Sequence, residues 1–127
     1  MLMESPPGIK PFPFQKGFVS FSDMETSKVA ERLEALGYAT RLGIFRLLVQ
    51  AGPSGFPVGE VQRALAVPPS TLSHHLARLM RVGLVTQERQ GRVLICRAEF
   101  DAMNAVIGFL TEKCCAGVEV PTKVGAA

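Results

Sequence analysis

The stretch Ala66-Val67-Pro68-Pro69-Ser70-Thr71-Leu72-Ser73-His74-His75-Leu76-Ala77-Arg78-Leu79 decides how this chain folds. Its two prolines break whatever precedes them, and Pro69 falls in the first turn of a helix, where a missing N–H is tolerated. From there Leu72, Leu76 and Leu79 recur at helical spacing, so a helix over Pro69–Val82 turns one side inward, and Gly83 ends it. Ser70, Thr71, Ser73 and His74 crowd hydrogen-bonding groups near the helix start. His75 lies about 100° further round, and Arg78 one turn on.

Upstream, Gly59–Ala66 reads as a helix with Val61 and Leu65 inward, joined to the next through Ala66-Val67-Pro68. Phe56–Val58 reads as a short strand, behind the breaker cluster Ala51-Gly52-Pro53-Ser54-Gly55. A helix over Thr40–Gln50 turns Leu42, Phe45, Leu48 and Val49 inward. Before it, Ser22 and Glu25 have capping-box spacing and open a helix to Leu36, with Val29, Leu33 and Leu36 as its stripe and Gly37 as its stop. Downstream, Leu84–Arg89 and Arg92–Arg97 form a hairpin through Gln90-Gly91, with Arg89 and Arg92 at its tip. A final helix over Glu99–Cys115 places Phe100, Met103, Ile107, Leu110 and Cys114 on one heptad-like seam suited to a partner helix.

The architecture expected is mainly α with a small β-hairpin: a winged helix-turn-helix over residues 22–117. Residues 1–21 hold four of the nine prolines, interleaved with Phe12, Phe14, Phe18 and Phe21, and read as a disordered arm. Residues 118–127 read as a flexible tail. In a helix-turn-helix the second helix enters the major groove, led by its N-terminal residues, so Ser70, Thr71, Ser73, His74, His75 and Arg78 are the candidate DNA contacts. Arg89 and Arg92 on the wing are placed to neutralise phosphates beside it.

Composition agrees. The chain has 127 residues, enough for one domain, with 47% apolar and 20% charged residues. Net charge is only +3, yet between Glu60 and Arg97 six arginines face two glutamates, so the positive charge is concentrated around the reading helix and hairpin. No apolar run is long enough to span a membrane, and no secretory leader is evident, so no membrane partner and a cytoplasmic location are expected. The three cysteines, Cys96, Cys114 and Cys115, are too few and too uneven for a disulfide framework. There is no GxGxxG, no Walker loop and no carboxylate pair at useful spacing, so catalysis is not expected.

The stretch Ser70–Leu79 followed by Val82-Gly83-Leu84-Val85 resembles the ArsR/SmtB family of winged-helix repressors, and Ala39-Thr40-Arg41-Leu42-Gly43-Ile44-Phe45 is similar to that family's second-helix motif. The Asp-Pro usual before the Thr-Arg is missing. The likeness covers roughly residues 28–115. It implies a homodimer joined through the first and last helices, bound to double-stranded operator DNA and released by an inducer.

Two inducer sites typical of that family are not intact here. Pro57-Val58-Gly59-Glu60-Val61 stands where one type carries two cysteines, and the last helix has Asp101 but no histidine for the zinc-binding type. Cys114-Cys115 resembles members that sense trivalent arsenic. With no permanent cofactor expected, the candidate ligands for an As(III), methylarsenite or Sb(III) inducer are Cys96, Cys114 and Cys115. Three thiolates suit a soft pyramidal centre, whereas zinc takes a tetrahedron. Two thiolates suffice for methylated As(III), leaving Cys96 idle. Neighbouring helical side chains point about 100° apart, so Cys114 and Cys115 converge only if the last turn unwinds. Two alternatives stay open: thiols that sense oxidants or polysulfide on the same fold, and a winged helix that binds protein rather than operator DNA.

Overall fold

Each helix and strand expected from the sequence forms, with shifted ends. The computed structural model describes residues 23–118. The arm over 1–21, Ser22 of the capping box and the tail beyond Val118 lie outside the described residues. The order is α1 (Asp23–Leu36), α2 (Ala39–Ala51), β1 (Phe56–Pro57), α3 (Val58–Leu65), α4 (Pro69–Arg81), β2 (Val85–Gln90), β3 (Val93–Ala98) and α5 (Phe100–Thr111). Lys28–Leu110 form one compact unit, and the described residues 23–27 and 111–118 belong to a second.

The turn between α3 and α4 is set by Ala66, whose left-handed backbone (φ 53) stops α3 while its N–H bonds the Gln62 carbonyl. Pro68 is extended and caps α4 through its carbonyl, which accepts from the Leu72 N–H at 2.9 Å. Leu72, Leu76 and Leu79 are buried as their spacing predicts, and they meet Ile44, Phe45 and Leu48 of α2, Val61 of α3, and Leu84, Val85, Cys96 and Ala98 around the sheet.

The hairpin is part of a three-stranded antiparallel sheet in the order β1-β3-β2, with Phe56 opposite Cys96 and Pro57 opposite Ile95. Its turn is Gly91-Arg92, one residue later than the expected Gln90-Gly91, and Gln90 pairs with Val93. Gly91 has φ 66 and occupies the first turn position, as a type II′ turn requires; the expected turn would have forced Gln90 into that conformation. Gly55, at φ 78, lets the loop before β1 lie against β3: a Cβ there would stand 2.6 Å from the Cys96 carbonyl oxygen and 2.8 Å from Ile95 Cγ2.

Four expectations change. On α1, Ala35 is fully buried while Leu33 is exposed, and on α2 Ile44 is buried while Leu42 is exposed. The seam of α5 divides: Phe100 and Met103 pack on the core and Val106 is buried, but Ile107 and Leu110 are 52% and 60% exposed. Finally, α5 stops at Thr111 rather than Cys115, because Lys113 and Cys115 adopt left-handed conformations that a right-handed helix excludes.

Candidate nucleic-acid interface and thiol pair

The exposed side of α4 presents Ser70, Thr71, Ser73 and His74 together, opposite the leucine stripe. Two hydroxyls beginning the helix, a third a half-turn on and an imidazole beside it supply donors and acceptors of the kind that read base edges and phosphates. Arg81 is also exposed, at the last turn. On the wing, Arg89 is exposed on β2 and Arg92 in the turn itself, so both guanidinium groups project at the hairpin's end. The remaining arginines of the segment are otherwise engaged. Arg63 pairs with Glu60 along α3, Arg97 with Glu88 across the hairpin at 2.5 Å, and Arg78 with Glu34 of α1. Arg97 also donates to the Pro53 carbonyl at 3.0 Å, fastening the wing's base to the loop after α2.

Two candidate DNA contacts are therefore placed elsewhere. Arg78 is half-buried and ties α4 to α1. His75 is only 7% exposed, turned away from the face that carries Ser70 and His74. Its Nδ1 lies 3.3 Å from a guanidinium nitrogen of Arg41, and its ring centroid is 5.2 Å from that of Tyr38. Burial, and then the Arg41 and His74 charges, hold its pKa below the ordinary histidine value. These contacts to Arg41, Tyr38 and Glu34 are the functional neighbours that sequence reading missed. Their partners lie more than thirty positions away, beyond any helical or strand period.

The cysteines separate into two environments. Cys96 is fully buried on β3, where the Gln87 amide donates to its Sγ at 3.5 Å; burial pushes the thiol pKa up, partly countered by that bond. Cys114 and Cys115 are exposed. Two successive turns place them, closed by Cys114 N–H to the Thr111 carbonyl at 3.0 Å and Ala116 N–H to the Lys113 carbonyl at 3.1 Å. The unwinding that convergence demands is present, and the two Sγ atoms stand 3.0 Å apart. The hydrogen bond with Cys115 pushes the Cys114 pKa up. The pair is nearer than the roughly 3.8 Å edge of a zinc–thiolate tetrahedron with Zn–S about 2.3 Å.

Among the described residues no helix is long and apolar enough to cross a membrane. Residues 36–88 match the family described as a helix-turn-helix domain. The chain is 31% identical over 88 residues to the HTH-type transcriptional regulator YgaV of Escherichia coli, covering 69% of this chain and 87% of that protein. An ArsR-like transcriptional regulator from Rhodococcus sp. RHA1 superposes with a TM-score of 0.61 at 25% identity, over 72% of this chain and 82% of that one. A homodimeric winged helix-turn-helix DNA-binding domain from Mycobacterium bovis superposes with a TM-score of 0.57 at 26% identity, over 74% and 90% of the two chains.

Proposed function

Because the chain belongs to the ArsR family of winged-helix transcriptional regulators, we propose that it is a repressor that leaves its operator when a trivalent arsenical or antimonial binds Cys114 and Cys115. The observation that carries the reading is the exposed thiol pair, 3.0 Å between sulfurs, outside the hydrophobic core. Two sulfurs at that separation suit a pyramidal centre with narrow S–As–S angles better than a tetrahedral metal. Cys96 enters as a third ligand only if the sheet opens, because its side chain has no exposure. Methylarsenite, which needs two thiolates, therefore fits the pair without further rearrangement.

The protein binds operator DNA as a homodimer in this reading. Ile107 and Leu110, apolar and outward on α5, supply a face for a second copy, and the Mycobacterium bovis relative is homodimeric. Two α4 helices then reach successive major grooves, with Ser70, Thr71, Ser73 and His74 at base edges and Arg89 and Arg92 on flanking phosphates. Ligation of the thiols stiffens the segment after α5 and shifts the dimer, and a coupling of about 2–3 kcal/mol lowers DNA affinity some tens-fold.

The test is a gel shift on the DNA upstream of the protein's own gene, in a monothiol or phosphine reductant, titrated with arsenite and with methylarsenite. Release at stoichiometric ligand, abolished in the Cys114→Ser, Cys115→Ser double variant, is the expected result. Release by oxidant or polysulfide alone would move the sensor to thiol oxidation. A complex at low salt that neither treatment releases would end the inducer reading, and no complex at all would end the DNA-binding one.

A further inference from the structure

We propose that His75 is a positioning residue for the DNA-reading helix: its neutral ring accepts a hydrogen bond from Arg41 at Nδ1, and that bond fixes the rotation of α4 about its own axis. The inference rests on the DNA-binding reading above.

Three observations carry it. First, arginine only donates, so at 3.3 Å from Arg41 the Nδ1 atom presents a lone pair and the ring proton sits on Nε2. Second, Arg41 is itself immobilised: its Nε donates to the Ala35 carbonyl at 2.6 Å, and its guanidinium lies 4.9 Å from the centre of the Tyr38 ring, which also faces His75. Third, the rest of the α4 inner face is leucine. Packing by Leu72, Leu76 and Leu79 holds the helix down but is not directional. A hydrogen bond is directional, and position 75 flanks the leucine stripe, where rotation of α4 carries the ring toward or away from Arg41. The same rotation would carry Ser70, Thr71, Ser73 and His74 off their groove.

The groups around the imidazole are Arg41 from α2, Tyr38 from the turn before it, the Ala35 carbonyl of α1 behind Arg41, and His74 on α4 itself; one turn on, Arg78 pairs with Glu34 of α1. Among the described residues no carboxylate bonds the ring, so a second proton would sit on Nδ1 facing the Arg41 guanidinium. Burial first, then the Arg41 guanidinium and the neighbouring His74, oppose that protonation, so the ring stays neutral at neutral pH. The folded pKa lies below 6.5, so the contribution is complete above that value and is lost as pH falls through the lower folded value.

The sign separates this role from a direct DNA contact. A histidine touching phosphate gains a proton on binding, so acid would tighten the complex; a positioning acceptor does the reverse. The experiment measures affinity for the upstream duplex by fluorescence anisotropy at about pH 8 and about pH 5.5, using the full chain in a His74→Gln background, which removes the exposed imidazole. Acidification is expected to weaken binding, by less than the roughly tenfold ceiling that a folded pKa under 6.5 sets at about pH 5.5. His75→Asn, whose Oδ1 stands in for Nδ1, should keep the affinity at the higher pH and abolish the pH dependence. His75→Leu should bind about tenfold more weakly at both pH values. Binding that tightens in acid through His75, an unchanged pH profile in His75→Asn, or full affinity in His75→Leu would each overturn the proposal. Nitrogen-15 imidazole shifts give a readout independent of DNA. An unprotonated Nδ1 at the higher pH is expected, and a protonated one overturns the contact. Absence of any duplex binding at low salt by the chain with His74 intact would instead sink the DNA-binding reading, with the imidazole shifts still deciding the tautomer.

Discussion

Cys96 and the Cys114–Cys115 pair are the same chemical group in two opposite settings. Cys96 lies in the central strand of the sheet, flanked by β1 and β2, fully buried and bonded from Gln87. Cys114 and Cys115 are exposed on a segment shaped by two turn hydrogen bonds and two left-handed non-glycine residues. The first setting is built to keep its geometry. The second holds little packing to lose, so a ligand can remodel it without unfolding anything. A platform that positions α4 and the wing benefits from the first; a segment that must respond to a small molecule benefits from the second.

The sharpest way to break that contrast is through Gly55, which lets the loop after α2 close onto the strand that carries Cys96. Gly55→Ala meets both a left-handed backbone (φ 78) and the Cys96 carbonyl at 2.6 Å. The expected loss is about 3 kcal/mol, combining the conformational cost with the displacement of backbone from backbone. Urea unfolding followed by circular dichroism measures it. A loss under about 1 kcal/mol would mean that the sheet yields easily, and the rigid half of the comparison would fail.

Much of the rigid half was legible from the chain alone. The leucine period of α4, Pro69 at its start and the Ala66–Pro68 turn are local signals, and local physics decides them. The thiol convergence was legible as a condition, since adjacent helical residues diverge and only an unwound turn joins them. What the sequence could not supply was long-range. Leu33, Leu42, Ile107 and Leu110 satisfy a helical stripe as well as their buried neighbours do, and only the placement of the other helices decides which of them packs. From the sequence His75 is a candidate DNA contact, because its partner Arg41 is thirty-four residues away and leaves no local signal. The hairpin turn moved by one residue because a single glycine had to take the first turn position.

A smaller effect is expected from Cys96→Ser. The hydroxyl is more costly than a thiol to hold without full hydrogen bonding, and the Gln87 amide offers only one partner, so the loss should be about 2 kcal/mol. Alkylation read by mass spectrometry sharpens the same point: iodoacetamide should modify Cys114 and Cys115 in the native protein and reach Cys96 only after urea is added. Native-state labelling of Cys96 at a rate matching the pair would show that the two settings are not distinct.

The smallest effect on stability should come from replacing both exposed thiols. Cys114→Ser with Cys115→Ser removes no buried surface and keeps two side chains able to bond each other, so the thermal midpoint should not move beyond the scatter of replicate melts. The single variant Cys115→Ser adds a pH signature. Cys114 is held above its ordinary value of 9.0 first of all by its bond with Cys115, so loss of that thiol should shift Cys114 alkylation to lower pH. A lowered midpoint in the double variant would mean that the segment is structural and that its turns are braced by the thiols themselves. An unchanged midpoint, with arsenical release abolished, would place the chemistry of the pair entirely outside the energetics of the fold. A ligand could then act on the protein without competing against the core.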